Sequence, residues 1–169
     1  MSLNGGASHM DTLVLVHVVI SLIAIVAGLI VMFRMLGSDR VSGLTGIFLL
    51  FTILTNVTGF FIPPFLYDKF LPSHAIGILS LVLLAIACFA LYSAKLSGMW
   101  RWVYVVTALI SLYLNCFVLV IQTFLKVPAL HAIAPGAPPS GPVFAVVQGI
   151  VLVFFVIMTI GTVRRFRPA

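Results

Sequence analysis

The sequence predicts an all-α integral membrane protein: a bundle of five transmembrane helices, N-terminal side outside and C-terminal side in the cytoplasm. The first observation is composition. Of 169 residues, 63% are hydrophobic and only 7% charged, with a mean hydropathy of +1.31. A soluble domain carries roughly 25% charged residues, so twelve charges cannot cover a water-facing surface of this size, and lipid must act as solvent. The second observation is five continuous apolar runs, about 12–35, 42–66, 73–96, 100–126 and 143–163. Each is near or above the roughly 20 residues that cross a hydrocarbon core of about 30 Å. The runs do not alternate, which excludes a membrane β-barrel. The third is charge asymmetry. Arg34, Arg40, Lys95, Arg101, Arg164, Arg165 and Arg167 fall on one side of a five-span chain, and only Lys69 and Lys126 on the other. Seven of nine basic residues therefore mark the cytoplasmic side.

The chain opens with Met-Ser-Leu-Asn-Gly-Gly-Ala-Ser-His-Met. Residues 1–9 read as an expression-tag scar with Met10 as the natural start, so residues 10–169 form a single five-helix domain and His9 is set aside. The first run lacks a basic leader and is long enough to stay in the membrane, unlike a cleaved signal peptide. His17, Ser21, Ala24 and Gly28 make a stripe of polar and small residues at helical spacing along it. On the second run Thr45, Thr52, Asn56, Gly59 and Pro63 share one face. The fourth places Ser111, Asn115 and Gln122 together, and the fifth Gln148, Phe155, Thr159 and Thr162. Lipid would leave these hydrogen bonds unmade, so the stripes are expected to face one another. Packing explains most of this: small residues at Ala24/Gly28, Ala90/Ala94 and Ala94/Gly98 permit close approach, and polar residues bind helix to helix.

The breaks are short except the fourth, Val127–Gly141, which lies outside and carries Pro128, Pro135, Pro138 and Pro139. Pro128–Ala134 is expected to form a short interfacial helix begun by its proline, followed by irregular chain. Trp100 and Trp102 read as interface anchors on the cytoplasmic side. Asp68-Lys69 reads as a solvated pair in an external turn. No internal repeat is present.

Depth carries the functional signal. With this orientation His17, Asn56, His74, Gln122 and Gln148 lie in the outer half, Asn115 near mid-membrane, and His131 in the outer loop. These residues converge on an expected polar pocket in the outer leaflet. Imidazole nitrogen binds haem iron, zinc and copper. His17 and His74 are therefore candidate axial ligands of a haem b or ligands of a transition metal in a membrane redox role. Asn56, Asn115, Gln122 and Gln148 complete the cofactor-binding set, and His131 completes a three-histidine metal set. The plainer alternative makes His17 a hydrogen-bonded core residue and His74 an interfacial helix start; no HxxxH, HExxH or CxxCH spacing favours ligation.

Three other classes stay open. A titrating histidine fits proton-coupled transport, but no charged residue lies in the centre of any span. Phe60, Phe61, Phe65 and Phe70 would suit a quinone or lipid tail. Small-residue faces suffice for a non-catalytic subunit. The partners these faces imply are the bilayer and a membrane protein or second copy. Nucleic acid is excluded, because the basic residues sit at span ends instead of on one polar patch. An enzyme with soluble-type chemistry finds no carboxylate pair, triad or phosphate loop. Cys88 and Cys116 are isolated in apolar runs, so neither a disulfide nor a thiolate metal site is indicated.

The stretch Gln122-Thr-Phe-Leu-Lys-Val-Pro-Ala-Leu-His-Ala-Ile-Ala-Pro135, with Gln148-Gly149 and the terminal Arg-Arg-Phe-Arg-Pro, resembles a group of small uncharacterised bacterial membrane proteins. The resemblance covers the last third of the chain. It implies a bacterial inner membrane and carries no activity.

Overall fold

The computed structural model describes residues 3–39, 42–62 and 72–167, and of these the side chains from residue 11 on except that of Pro72. Arg40, Pro63, Phe65, Asp68, Lys69 and Phe70 lie outside the described residues. The elements are α1 (Leu3–Leu36), α2 (Ser42–Gly59), α3 (Pro72–Cys88), α4 (Trp100–Lys126), α5 (Pro128–Ile133) and α6 (Pro142–Arg165). Five of them are long and apolar enough to cross a membrane. The short α5 starts at Pro128 in the N1 position, where a missing N–H costs nothing. It stands where the prolines lead one to expect it.

The first span, Asp11–Leu36, stands where the apolar run predicts, and helix α1 continues ahead of it to Leu3. One bound differs from expectation. Helix α2 ends at Gly59 and passes into a turn at Phe60–Phe61, well before residue 66; residues 63–66 are not described. The turn has a local cause, because Pro63 disfavours helical geometry at the residue before it.

The helices pack in chain order around a ring: α1 on α2, α2 on α3, α3 on α4, α4 on α6, and α6 back on α1. Helix α4 also touches α1, α2 and α5, which makes it the hub. In its most apolar stretch 39% of residues are buried, against 11% for α6, so α6 is the peripheral span. The core centres on Met32, Phe48, Leu84, Ala87, Val105, Ala108 and Leu112. Gly28 lets α1 close on it: a Cβ there would stand 2.6 Å from Leu112 Cδ1 and 2.8 Å from the Phe48 ring.

Helix α3 does not end as a plain α-helix. Phe89–Ser93 form a π turn, with Ala94 N–H donating to Phe89 O at 2.9 Å and Leu96 N–H to Ala90 O at 2.9 Å. Lys95 and Leu96 then take left-handed φ of 49° and 58°, a region that side chains with a Cβ seldom occupy. Ala94 and Gly98 therefore do not share a helix face. Trp100 is more than an interface anchor, since its ring meets Phe89 of the π turn edge-on at 5.0 Å. After α6 the chain folds under the basic end. Phe166 is 2% exposed with its ring 6.3 Å from that of Tyr104, and Arg167 N–H donates to Ser38 Oγ at 2.8 Å.

Candidate functional site

The expected stripes do face inward, with one exception. Ala24, Gly28, Thr52, Thr55, Ser80, Ser111, Asn115, Gln148 and Thr162 are buried. Gln122 is exposed, although it shares a helical face with Ser111 and Asn115. The buried residue at this end of α4 is Phe124, whose ring meets Phe144 of α6 edge-on at 5.5 Å. The bundle thus covers the α4 exit with an aromatic pair and leaves the Gln122 amide outside it.

Most of the hydroxyls satisfy themselves within their own helix. Ser21 donates to His17 O (2.6 Å), Thr52 to Phe48 O (2.7 Å), Thr55 to Phe51 O (2.8 Å), Thr107 to Val103 O (2.7 Å) and Ser111 to Thr107 O (2.9 Å). The i−4 carbonyl is always in reach, whereas a neighbouring helix must be placed to within an ångström. They are therefore not the interhelical links that packing alone implied. Among the described residues, side-chain bonds cross between helices from His17 to Thr58, from Asn56 to Ser80 (3.1 Å) and from Gln148 Nε2 to Phe117 O (3.1 Å). Asn56 Nδ2 also donates to Thr52 O at 2.8 Å. Asn115 Nδ2 and Gln148 Oε1 are buried without a hydrogen-bond partner among the described residues.

The His17 Nδ1 lies 2.9 Å from Thr58 Oγ1, and that hydroxyl lies 2.7 Å from Leu54 O and 3.2 Å from Thr55 O. When the hydroxyl donates to a carbonyl it accepts from Nδ1–H and Nε2 carries the lone pair; when it donates to Nδ1 the tautomer is reversed. The imidazole is half-buried, seated against α2, with its Cε1 3.4 Å from where a Gly59 Cβ would stand. Lys126, in the last turn of α4, acts electrostatically on the same ring.

His74 lies in the first turn of α3, 5% exposed, with its ring tilted against Phe60 at 6.3 Å. Phe60 fits there because the position of a Gly77 Cβ is only 3.1 Å from its Cζ. Both imidazoles therefore meet the same short stretch at the end of α2, Thr58–Phe60, from different helices. His131 is exposed on α5. Among the described residues no three His, Cys, Asp or Glu side chains gather as a metal-holding group, so His17, His74 and His131 do not assemble into one.

Two cavities lie elsewhere. One, of about 100 Å³, opens at the basic end among Arg34, Asp39, Ser42, Thr45, Tyr104 and Phe166. The other, of about 220 Å³, is an apolar groove between α4 and α6 lined by Tyr113, Leu152, Phe155 and Thr159. Neither is lined by the six residues of the expected cofactor set. The chain matches no protein family, no curated protein and no solved structure.

Sequence reasoning missed Thr58, Ser80 and Lys126. Ser80 left a trace, as the one serine in the middle of the apolar third run. Thr58 left none, because its role rests on a contact across 41 residues.

Proposed function

We propose that this protein is a membrane-embedded haem-binding bundle with a redox role, in which His17 Nε2 ligates the iron of a haem b at the outer end. The observation that carries the reading is the Thr58 hydroxyl 2.9 Å from Nδ1: by donating to Leu54 O it can accept from Nδ1–H, in the tautomer that leaves the Nε2 lone pair for a ligand. Metal-ligating histidines are characteristically held by a hydrogen bond at the second nitrogen. A porphyrin brings four nitrogens of its own and needs only one or two protein ligands. A bare transition-metal ion needs three or four, and no such group exists among the described residues. Haem also carries carboxylates, and Lys126 supplies a positive charge within electrostatic reach of His17. His74 is the candidate second axial ligand. Its approach from another helix to the same end of α2 supports that role. The setting we propose is a bacterial inner membrane.

The experiment is an absorption spectrum of protein purified in mild detergent after haem-replete expression. A Soret band is expected, lost in His17→Ala and weakened in Thr58→Val and Lys126→Gln. A protein without a Soret band, or one whose band survives His17→Ala, would overturn the proposal.

A further inference from the structure

A second site stands at the opposite end of the bundle and does not depend on the haem reading. The cavity there, about 100 Å³, is the volume of a few water molecules at about 30 Å³ each. It has room for a small group and excludes a whole amphiphile; Val31, Met35, Leu91 and Leu96 give it a mostly apolar wall, with its polar groups at a few points. Three of its features point to a phosphate. Ser42, the first residue of α2, lines it; the first-turn N–H groups of a helix lack intrahelical partners and carry its positive dipole end. Arg34 lines it, its guanidinium 3.3 Å from the Asp39 carboxylate at the same opening. Thr45 also lines it, is 8% exposed, and its hydroxyl has no hydrogen-bond partner among the described residues. The buried hydroxyls of Thr52, Thr55 and Thr107 all bond their i−4 carbonyls. Thr45 alone of these buried threonines in α2 and α4 leaves its hydroxyl unbonded among the described residues.

A fourth feature selects among phosphates. Asp39 lines the same opening, its Oδ2 3.3 Å from Arg34 Nη2, with the two side chains 53% and 56% exposed. A pair so exposed is worth little to the fold, so a ligand can take over both partners at small cost. A free anion or an anionic headgroup would meet the carboxylate as a repulsive neighbour. A headgroup with a phosphate and an ammonium side by side meets both charges with their opposites. The basic end is also where the charge asymmetry places the cytoplasmic leaflet, with lipid chains alongside.

We propose that this cavity seats the phosphoethanolamine headgroup of an aminophospholipid. The phosphate lies at the N-terminus of α2 against Thr45 and Arg34, and the ammonium lies at Asp39. The acyl chains stay outside, along the lipid-facing surface of the bundle.

The test is native mass spectrometry of the protein released from nanodiscs holding equal phosphatidylethanolamine, phosphatidylglycerol and phosphatidylcholine. Phosphatidylethanolamine should be retained several-fold over the others. Thr45→Val should lower that retention about fivefold, the worth of roughly one net hydrogen bond, while Thr45→Ser keeps it. Asp39→Asn should lose the preference over phosphatidylglycerol. Equal retention of all three lipids, a preference for phosphatidylglycerol, or a Thr45→Val variant that retains lipid like the wild type would overturn the proposal. So would displacement of the lipid by millimolar inorganic phosphate, which would mark a small-anion site. Unchanged thermal unfolding of the variants separates lost binding from lost fold. A Soret spectrum on the same samples keeps the outcome distinct from that of the haem reading.

Discussion

Gly28 and Gly149 show how differently one residue type acts in two places. At Gly28 a methyl group would sit 2.6 Å from Leu112 and 2.8 Å from Phe48, inside the contact distance of carbon atoms. Gly28→Ala should therefore lower stability by about 1–3 kcal/mol, the cost of overfilling a packed core, read as a drop in thermal midpoint in detergent. At Gly149 nothing lies within 4 Å of the added carbon. Gly149→Ala should be neutral or stabilising by up to about 1 kcal/mol through helix propensity. A Gly149→Ala loss as large as that of Gly28→Ala would mean that α6 has a neighbour on its open face. The stripe that held Gly28 was legible from spacing alone. Gln122 was not, because helical phase tells which face a residue shares but not where along the helix the neighbours stop. The histidine states were less legible still. His17 rests on a contact with Thr58 across 41 residues, which no local pattern announces.

At the scale of elements, α2 is the mediator. It packs on α1 and α3, receiving His17 near its end and donating from Asn56 to Ser80 at 3.1 Å. Membrane hydrogen bonds between helices average about 0.6 kcal/mol, and Asn56 keeps its bond to Thr52 O. Ser80→Ala should thus cost only about 0.6 kcal/mol, and the double variant with Asn56→Ala should be non-additive by the same amount. A strictly additive pair would show that the contact adds nothing to the α2–α3 interface. Except at the end of α2, the bounds of the spans were legible because hydropathy acts locally. The π turn at Phe89–Ser93 was not. Its bonds answer to packing against Trp100 and to the left-handed residues that follow, and no periodicity in the sequence announces it.

At the scale of the whole molecule, the ring order and the charge asymmetry give an orientation that labelling can check. In a background with Cys88 and Cys116 replaced by serine, Ser140→Cys lies in the long α5–α6 loop and Ser97→Cys in the basic α3–α4 loop; both positions are exposed. An impermeant maleimide should label the first in intact cells and the second only after permeabilisation. The reverse pattern would place the histidines toward the cytoplasm and the Thr45 cavity outside. Five spans and one direction could be inferred from composition, run length and charge because each is a sum over many residues. Which end holds a cavity could not, since a void is a difference between the shapes of neighbours. The polar outer half is largely spoken for by local bonds, and the described cavities open at the basic end and on the lipid face.

The stitch between Arg167 and Ser38 spans 129 residues, which gives the basic end a history as well as a shape. At ordinary synthesis rates those residues take on the order of ten seconds to emerge. During that interval α2 and the later helices are made, and the wall that Phe166 provides is still missing. The basic end is therefore completed last, once Arg167 has reached Ser38.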